Sequence, residues 1–169
     1  MAYVTRQYGS NARWLTKALR EVPHEIHELL TSMDEQELRW RPSERDWCAK
    51  EVAGFLLESE REDLRAVEAI VRRDGAPIEE RRAHLAPGER DFRDASIDEL
   101  VWEFVSERES LLWTLEWSDA WERAGEHPYR GRVTLLQYLH EVNERDLEAA
   151  WQLRRLHEAL GAGAGRRRR

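Results

Sequence analysis

The chain is poor in the residues that staple or interrupt small folds. A single cysteine, Cys48, stands in 169 residues, so no disulfide framework can form within the chain. Five prolines and nine glycines leave few places to turn, and long elements are expected. The opening MAYVTRQYGSNARW lacks the apolar run of a signal peptide or a membrane span, so a soluble, cytoplasmic protein with no membrane partner is the expectation. Net positive charge is lacking too. The total is −7, more negative still without the arginines at 166–169, and both signs mix along the chain, which speaks against nucleic acid as a partner.

Eight tryptophans predict a core or pocket rich in large aromatics. The length suits one domain with a single core and no metal or disulfide requirement. Residues 1–160 carry the periodic segments, whereas 161–169, GAGAGRRRR, cannot build a core and read as a flexible Gly/Ala/Arg tail. Such a tail could touch anionic partners or simply be solvated.

Four segments show helical period. Trp14, Leu15, Ala18, Leu19, Val22, Ile26, Leu29 and Leu30 place an amphipathic helix over about Asn11–Thr31, with a kink or a break expected at Pro23. One further turn of helix fits Asp34–Leu38 before Arg41-Pro42-Ser43. The second helix runs from about Cys48 to Arg73, facing inward with Val52, Phe55, Leu56, Ser59, Val67 and Ile70, and ends at Asp74-Gly75-Ala76-Pro77. The third opens on the capping box Ser96-Ile97-Asp98-Glu99 and reaches about Glu116. The fourth opens on Thr134-Leu135-Leu136-Gln137 and reaches about Leu160, where Gly161 can end it. No segment alternates convincingly at strand period. The pattern predicts an all-α four-helix bundle with long connections between helices 2–3 and 3–4, which let helices pair in an order other than simple up-and-down neighbours.

Several pieces, in order, resemble the DinB/YfiT-like superfamily of bacterial four-helix bundles. They are Leu38-Arg39-Trp40-Arg41-Pro42 followed by Trp47-Cys48-Ala49-Lys50-Glu51-Val52, then Glu58-Ser59-Glu60, Arg108 within SERESLL, His127-Pro128-Tyr129-Arg130-Gly131, and Thr134-Leu135 through Gln152-Leu153. The resemblance covers about Leu15 to Leu156. It implies a divalent metal, zinc or nickel, held by three histidines, one from the second helix and two at i and i+4 on the fourth. Those positions fall here on Phe55, Arg145 and Ala149. None can serve, because phenylalanine and alanine have no lone pair to offer and guanidinium is a cation without an acceptor. No cofactor is therefore expected and no metal ligand is assigned.

Other residues offer no obvious replacement. His24 and His27 sit at the edge of the first helix's stripe, His140 points away from Arg145, and His127 is in a loop where a turn-stabilising hydrogen bond is its plain role. His84 and His157 complete the set. The acids Glu51, Glu58, Glu141, Glu144 and Glu148 suit solvated helix faces. An inward arginine still requires a partner. Either Arg145 takes over the vacated metal position and pairs with Glu51, Glu58 or Glu148, or it snorkels out of the bundle mouth. Phe55 and Ala149 compensate one another in volume. Trp47, Tyr138 and Trp151 could line a groove for a hydrophobic or anionic small molecule, or simply pack as core. Cys48 stands where the family has serine as a helix N-cap. It is either a tolerated cap or a reactive helix-terminal thiol, with Glu51 still able to cap its amide.

The resulting expectation is a DinB-like protein that has lost its metal site and works as a small-molecule-binding or structural module, a homodimer as the resemblance implies, and not an enzyme. The alternative is a metal-dependent thiol S-transferase or hydrolase-like enzyme using non-standard ligands. A third reading, anion or nucleic-acid binding through the arginine tail, is opposed by the acidic composition.

Overall fold

The computed structural model describes residues 2–81 and 91–167, with side chains over 11–81 and 91–161. Its helices are α1 (Ala2–Thr31), α2 (Glu35–Arg39), α3 (Ala49–Arg72), α4 (Ile97–Glu116) and α5 (Leu135–Arg167). Caps set most starts. Asp34 accepts from the Gln36 and Glu37 amides while Glu37 returns to the Asp34 amide. Glu51 accepts from the Cys48 amide at 2.8 Å. Thr134 and Gln137 cap each other reciprocally at 3.0 and 3.2 Å. At Ser96 the serine accepts from the Glu99 amide at 3.4 Å.

Two expectations about helix ends give way. α1 begins before Asn11 and passes through Pro23 unbroken. The missing N–H removes one backbone bond, but Leu19 on one side and Ile26 and Leu30 on the other are fully buried, each half anchored in its own apolar cluster of the bundle. α5 continues to Arg167. Gly161 does not take the left-handed conformation that ends helices, so no break marks the 160/161 division. Arg168 and Arg169 lie outside the described residues, as do His84 and most of the polar stretch after Ile78.

Helix order follows from the core. Val67 and Ile70 share a cluster with Leu111 and Leu115, and Val52 and Leu56 share another with Val101 and Phe104. α3 and α4 are therefore parallel neighbours. Trp14 stacks near His140 and Glu25 pairs with Arg154, so α1 and α5 also run the same way. α3 packs on α5 and α1 on α4, which puts α1 and α3 on one diagonal and α4 and α5 on the other. Parallel neighbours need a return path along the whole bundle, about 36 Å for a 24-residue helix. Residues 73–96 supply it.

A small sheet was not expected. β1 (Ala76–Pro77) pairs in parallel with β2 (Ala124–His127), which pairs antiparallel with β3 (Gly131–Thr134). Strands of two to four residues are too short to display alternation. Gly131, at φ 70, supplies the left-handed residue of the hairpin. His127 Nδ1 accepts from the Tyr129 and Arg130 amides at 3.2 and 3.3 Å, the turn role expected of it.

The tryptophans do not build the core, one of the two places the sequence allowed for them. Trp14, Trp102, Trp113, Trp117 and Trp151 are exposed, and the core is aliphatic: Leu15, Leu19, Leu56, Leu111, Leu139 and Leu153 among its buried members. Each exposed tryptophan within a helix occupies an outward phase of it, and periodicity outranks residue type. Among the described residues no helix is long and apolar enough to cross a membrane.

Gly54 marks a close approach. A Cβ there would lie 2.3–2.5 Å from Cγ, Cδ1 and Cδ2 of Phe92. Alanine gains about 0.5–1 kcal/mol of helix propensity, but displacing a ring at its root costs about 1–3 kcal/mol. Gly54→Ala should therefore lower stability by about 1–2 kcal/mol in urea unfolding. A stabilised variant would show that Phe92 does not pack there.

Candidate functional site

Three helices place charge where the core stripe demands an apolar residue. In α3 the buried sequence Leu56, Glu60, Asp63, Val67 keeps steps of four, three and four. In α4 it is Phe104, Arg108, Leu111, and in α5 Val142, Asp146, Ala149. Glu60, Asp63 and Asp146 are fully buried and Arg108 almost so, between the two apolar clusters at mid-bundle. A buried ion costs several kcal/mol unless it is paired and hydrogen-bonded, so the geometry has to complete each of them.

Arg108 donates through Nε and Nη2 to the two Glu60 oxygens, both at 2.6 Å. Its Nη1 donates to the Leu19 carbonyl at 2.9 Å and lies 2.7 Å from Asp146 Oδ2, a charge contact off the hydrogen-bond line. Arg145 donates to Glu60 Oε2 at 3.0 Å, to Asp146 Oδ1 at 2.8 Å from Nη2 and 3.2 Å from Nε, and to Asp63 from Nη1. Asp63 Oδ1 further accepts from the Tyr138 hydroxyl and Arg81 Nε, each at 2.8 Å, and the Arg81 guanidinium lies 4.2 Å above the Tyr138 ring. Arg81 also reaches Glu141, which Arg130 of the hairpin grips in turn. Three guanidinium groups, Arg81, Arg108 and Arg145, face three buried carboxylates, Glu60, Asp63 and Asp146, so the cluster is neutral as a whole.

That balance sets proton affinities. Burial alone would raise the Asp146 pKa, but the charges of Arg108 and Arg145 outweigh it and hold the carboxyl below its ordinary value. Burial and the Asp63 charge push the Tyr138 hydroxyl up, so it stays a neutral donor. Because the Asp146 pKa is lower folded than unfolded, its stabilisation is present above the ordinary value of 3.8 and is lost as pH falls through the folded value. Stability in urea should hold from neutral pH to about 4 and decline below it. Asp146→Asn should show a shallower decline from a lower starting point; an equal slope would remove Asp146 from the linkage.

The sequence reading located Arg145 but misjudged its partners. The guanidinium is turned inward, its side chain 12% exposed, and its acids are Glu60, Asp63 and Asp146 rather than Glu51, Glu58 or Glu148. Glu51 serves Arg41 and the Cys48 amide, and Glu148 is exposed on the rim. Glu60 and Arg108 stand within the family-like pieces, but nothing in those pieces distinguishes them from surface charge. Their phase against Leu56, Val67 and Leu111 was the available signal.

Above the cluster a cleft of about 310 Å³ is lined by Trp47, Phe55, Arg145, Glu148, Ala149 and Gln152. Phe55 of α3 and Arg145 and Ala149 of α5 thus line the same cleft from two sides. Trp47 packs edge-on against Phe55, ring centroids 5.1 Å apart. The cleft continues past Trp47 and Gln152 into a second one of about 390 Å³ between Pro42 and Trp151, where Arg155 lies 4.7 Å over the Trp151 ring. Three expected lining residues are elsewhere. Glu51 is buried at the start of α3, turned to Arg41 and the Cys48 amide, Glu58 is off the cleft wall, and Tyr138 lies two turns before Arg145 along α5, deep beside Asp63.

The donor set does not fit the metal that the resemblance implies. Phenylalanine, alanine and an arginine whose donors are engaged stand where that resemblance would put ligands, and among the described residues no three His, Cys, Asp or Glu side chains gather to hold an ion. The three buried carboxylates meet at arginines instead. His24 and His27 are exposed and His140 stacks near Trp14, ring centroids 6.3 Å apart. Cys48 is buried and its thiol pKa is pushed up by burial, which removes the activated thiolate that a reactive helix-terminal cysteine needs.

These features define a four-helix bundle of non-sequential topology with a polar centre under an aromatic cleft. The chain belongs to the DinB superfamily, whose sequence pattern matches residues 18–145. Its structure is similar to that of YfiT from Bacillus subtilis, described as a probable metal-dependent hydrolase with an unusual four-helix bundle topology. The TM-score is 0.76 at 15% identity, covering 89% of this chain and 87% of that one. At that identity the likeness establishes the fold. No curated protein matches the sequence.

Proposed function

We propose that this DinB-superfamily bundle has exchanged the family's metal centre for an arginine–carboxylate cluster and acts as a small-molecule-binding module through the cleft above it. The observation that carries the reading is Arg145. It lines the cleft beside Phe55 and Ala149, yet its donors are engaged below by Glu60, Asp63 and Asp146. A Lewis acid activates a thiol or water only where lone-pair donors hold it, and these three positions supply none. The guanidinium spends its charge on the protein, so the cleft offers chiefly flat apolar walls at Trp47, Phe55 and Trp151. A planar hydrophobic ligand suits it better than a compact anion. Metal-dependent thiol transfer or hydrolysis would require a ligand set built from other residues of this chain.

Titration with 8-anilinonaphthalene-1-sulfonate as probe, followed by its fluorescence, tests the cleft. Saturable binding to one site is expected, weakened at least tenfold in Gln152→Trp, which fills the passage between the two clefts. Unsaturable binding, or unchanged affinity in a folded Gln152→Trp chain, would argue that the cleft holds no ligand.

A further inference from the structure

The outward face of α4 combines two features rarely left in water together. Trp102, Trp113 and Trp117 are 71%, 64% and 73% exposed. Helical residues turn by about 100° and rise 1.5 Å, so Trp102 and Trp113 fall within about 20° of one another on α4, and Trp117, its C-cap residue, extends the stripe to about 22 Å. The rings of Trp113 and Trp117 lie 5.5 Å apart. Scattered exposed apolar residues are ordinary, but an aligned aromatic stripe is a contact surface in search of a partner.

The stripe is flanked by acids. Asp98, Glu99, Glu109 and Glu116 are exposed, and none joins an ion pair among the described residues. The only cation that α4 carries, Arg108, is buried in the central cluster. Arg61, reaching across from α3, is committed to Glu103 and Glu107. The face is therefore aromatic and anionic, with no basic group of its own.

We infer that this face of α4 docks an arginine-rich segment of a partner protein other than this chain. Guanidinium planes stack on tryptophan faces and pair with carboxylates through the same group, so one residue type answers both features. Charge decides against the other occupants. A second α4 laid on the first would bring like-charged acids together, and anionic lipid headgroups are repelled by the same carboxylates.

The test titrates a peptide, GAGAGRRRR, into the full chain and follows tryptophan emission. The expected result is a saturable change whose affinity falls at least tenfold between 50 and 300 mM salt, absent with GAGAGSSSS. Trp113→Ala/Trp117→Ala should weaken binding at least tenfold with the thermal midpoint unchanged, since both rings are exposed. Glu109→Gln/Glu116→Gln should weaken it and flatten the salt dependence. Self-association of the full chain that the tryptophan variant abolishes would overturn the partner, since the chain's own arginine run would then be the segment. No saturable change, an equal response to the serine peptide, or full affinity in the tryptophan variant would overturn the assignment, and none of these outcomes bears on the cleft between α3 and α5.

Discussion

Arg108→Met should destabilise the chain by about 3–5 kcal/mol, the cost of breaking a buried ion pair from one side. In a domain of this length that corresponds to roughly 6–20 °C in thermal midpoint. The side chain is 2% exposed and holds both oxygens of Glu60, the carbonyl of Leu19 and the charge of Asp146. Methionine fills much of the volume, so the loss reports the abandoned carboxylates rather than a cavity. Glu60→Met alone strands Arg108 in the same way. The double variant Arg108→Met/Glu60→Met leaves Asp63 and Asp146 facing Arg81 and Arg145 and restores neutrality. It should be more stable than the sum of the single losses implies, by about 1–3 kcal/mol. Additive losses in urea unfolding would show that the two residues do not act as a pair.

Arg145→Ala should cost about 3 kcal/mol, the lower end for a buried pair because the side chain keeps some contact with solvent. Removing that guanidinium leaves Glu60, Asp63 and Asp146 without the cation they share. Millimolar Mn²⁺ or Mg²⁺ should not restore the thermal midpoint of Arg145→Ala, because these carboxylates do not gather closely enough to hold an ion. Arg145→Lys should not rescue stability fully, since one ammonium cannot reach three carboxylates in the directions that the planar fork does. An Arg145→Ala chain as stable as the parent would show that the cluster does not depend on this arginine.

The bundle was legible because its helices announce themselves twice, in the aliphatic stripe and in the caps at Asp34, Cys48, Ser96 and Thr134. Where one signal stood alone it misled. Pro23 argued for a break that burial of Leu19 and Ile26 overrides. The abundance of tryptophan argued for an aromatic core or pocket, while Trp102 and Trp113 hold outward phases of α4 and Trp117 caps its end in the open. The small sheet was hidden because its pairing joins β1 to β2 across some 50 residues, through strands too short for a period. Phe55, Arg145 and Ala149, picked out one by one through the resemblance, line one cleft. The partners of Arg145 were not legible, because acids are abundant on the helices around it. Only helical phase separates Glu60, Asp63 and Asp146 from the solvated carboxylates around them, and that phase has to be read against three helices at once.

The account stands or falls on what occupies the centre of the bundle. Metal content of the full chain, purified without chelator or affinity tag and measured by elemental analysis, tests it most directly. The expected result is only trace zinc and nickel per chain, with a thermal midpoint unmoved by chelator or by added zinc. Stoichiometric metal, lost on substitution of histidines or acids of this chain and accompanied by a falling midpoint, would contradict it and return the protein to metal-dependent chemistry.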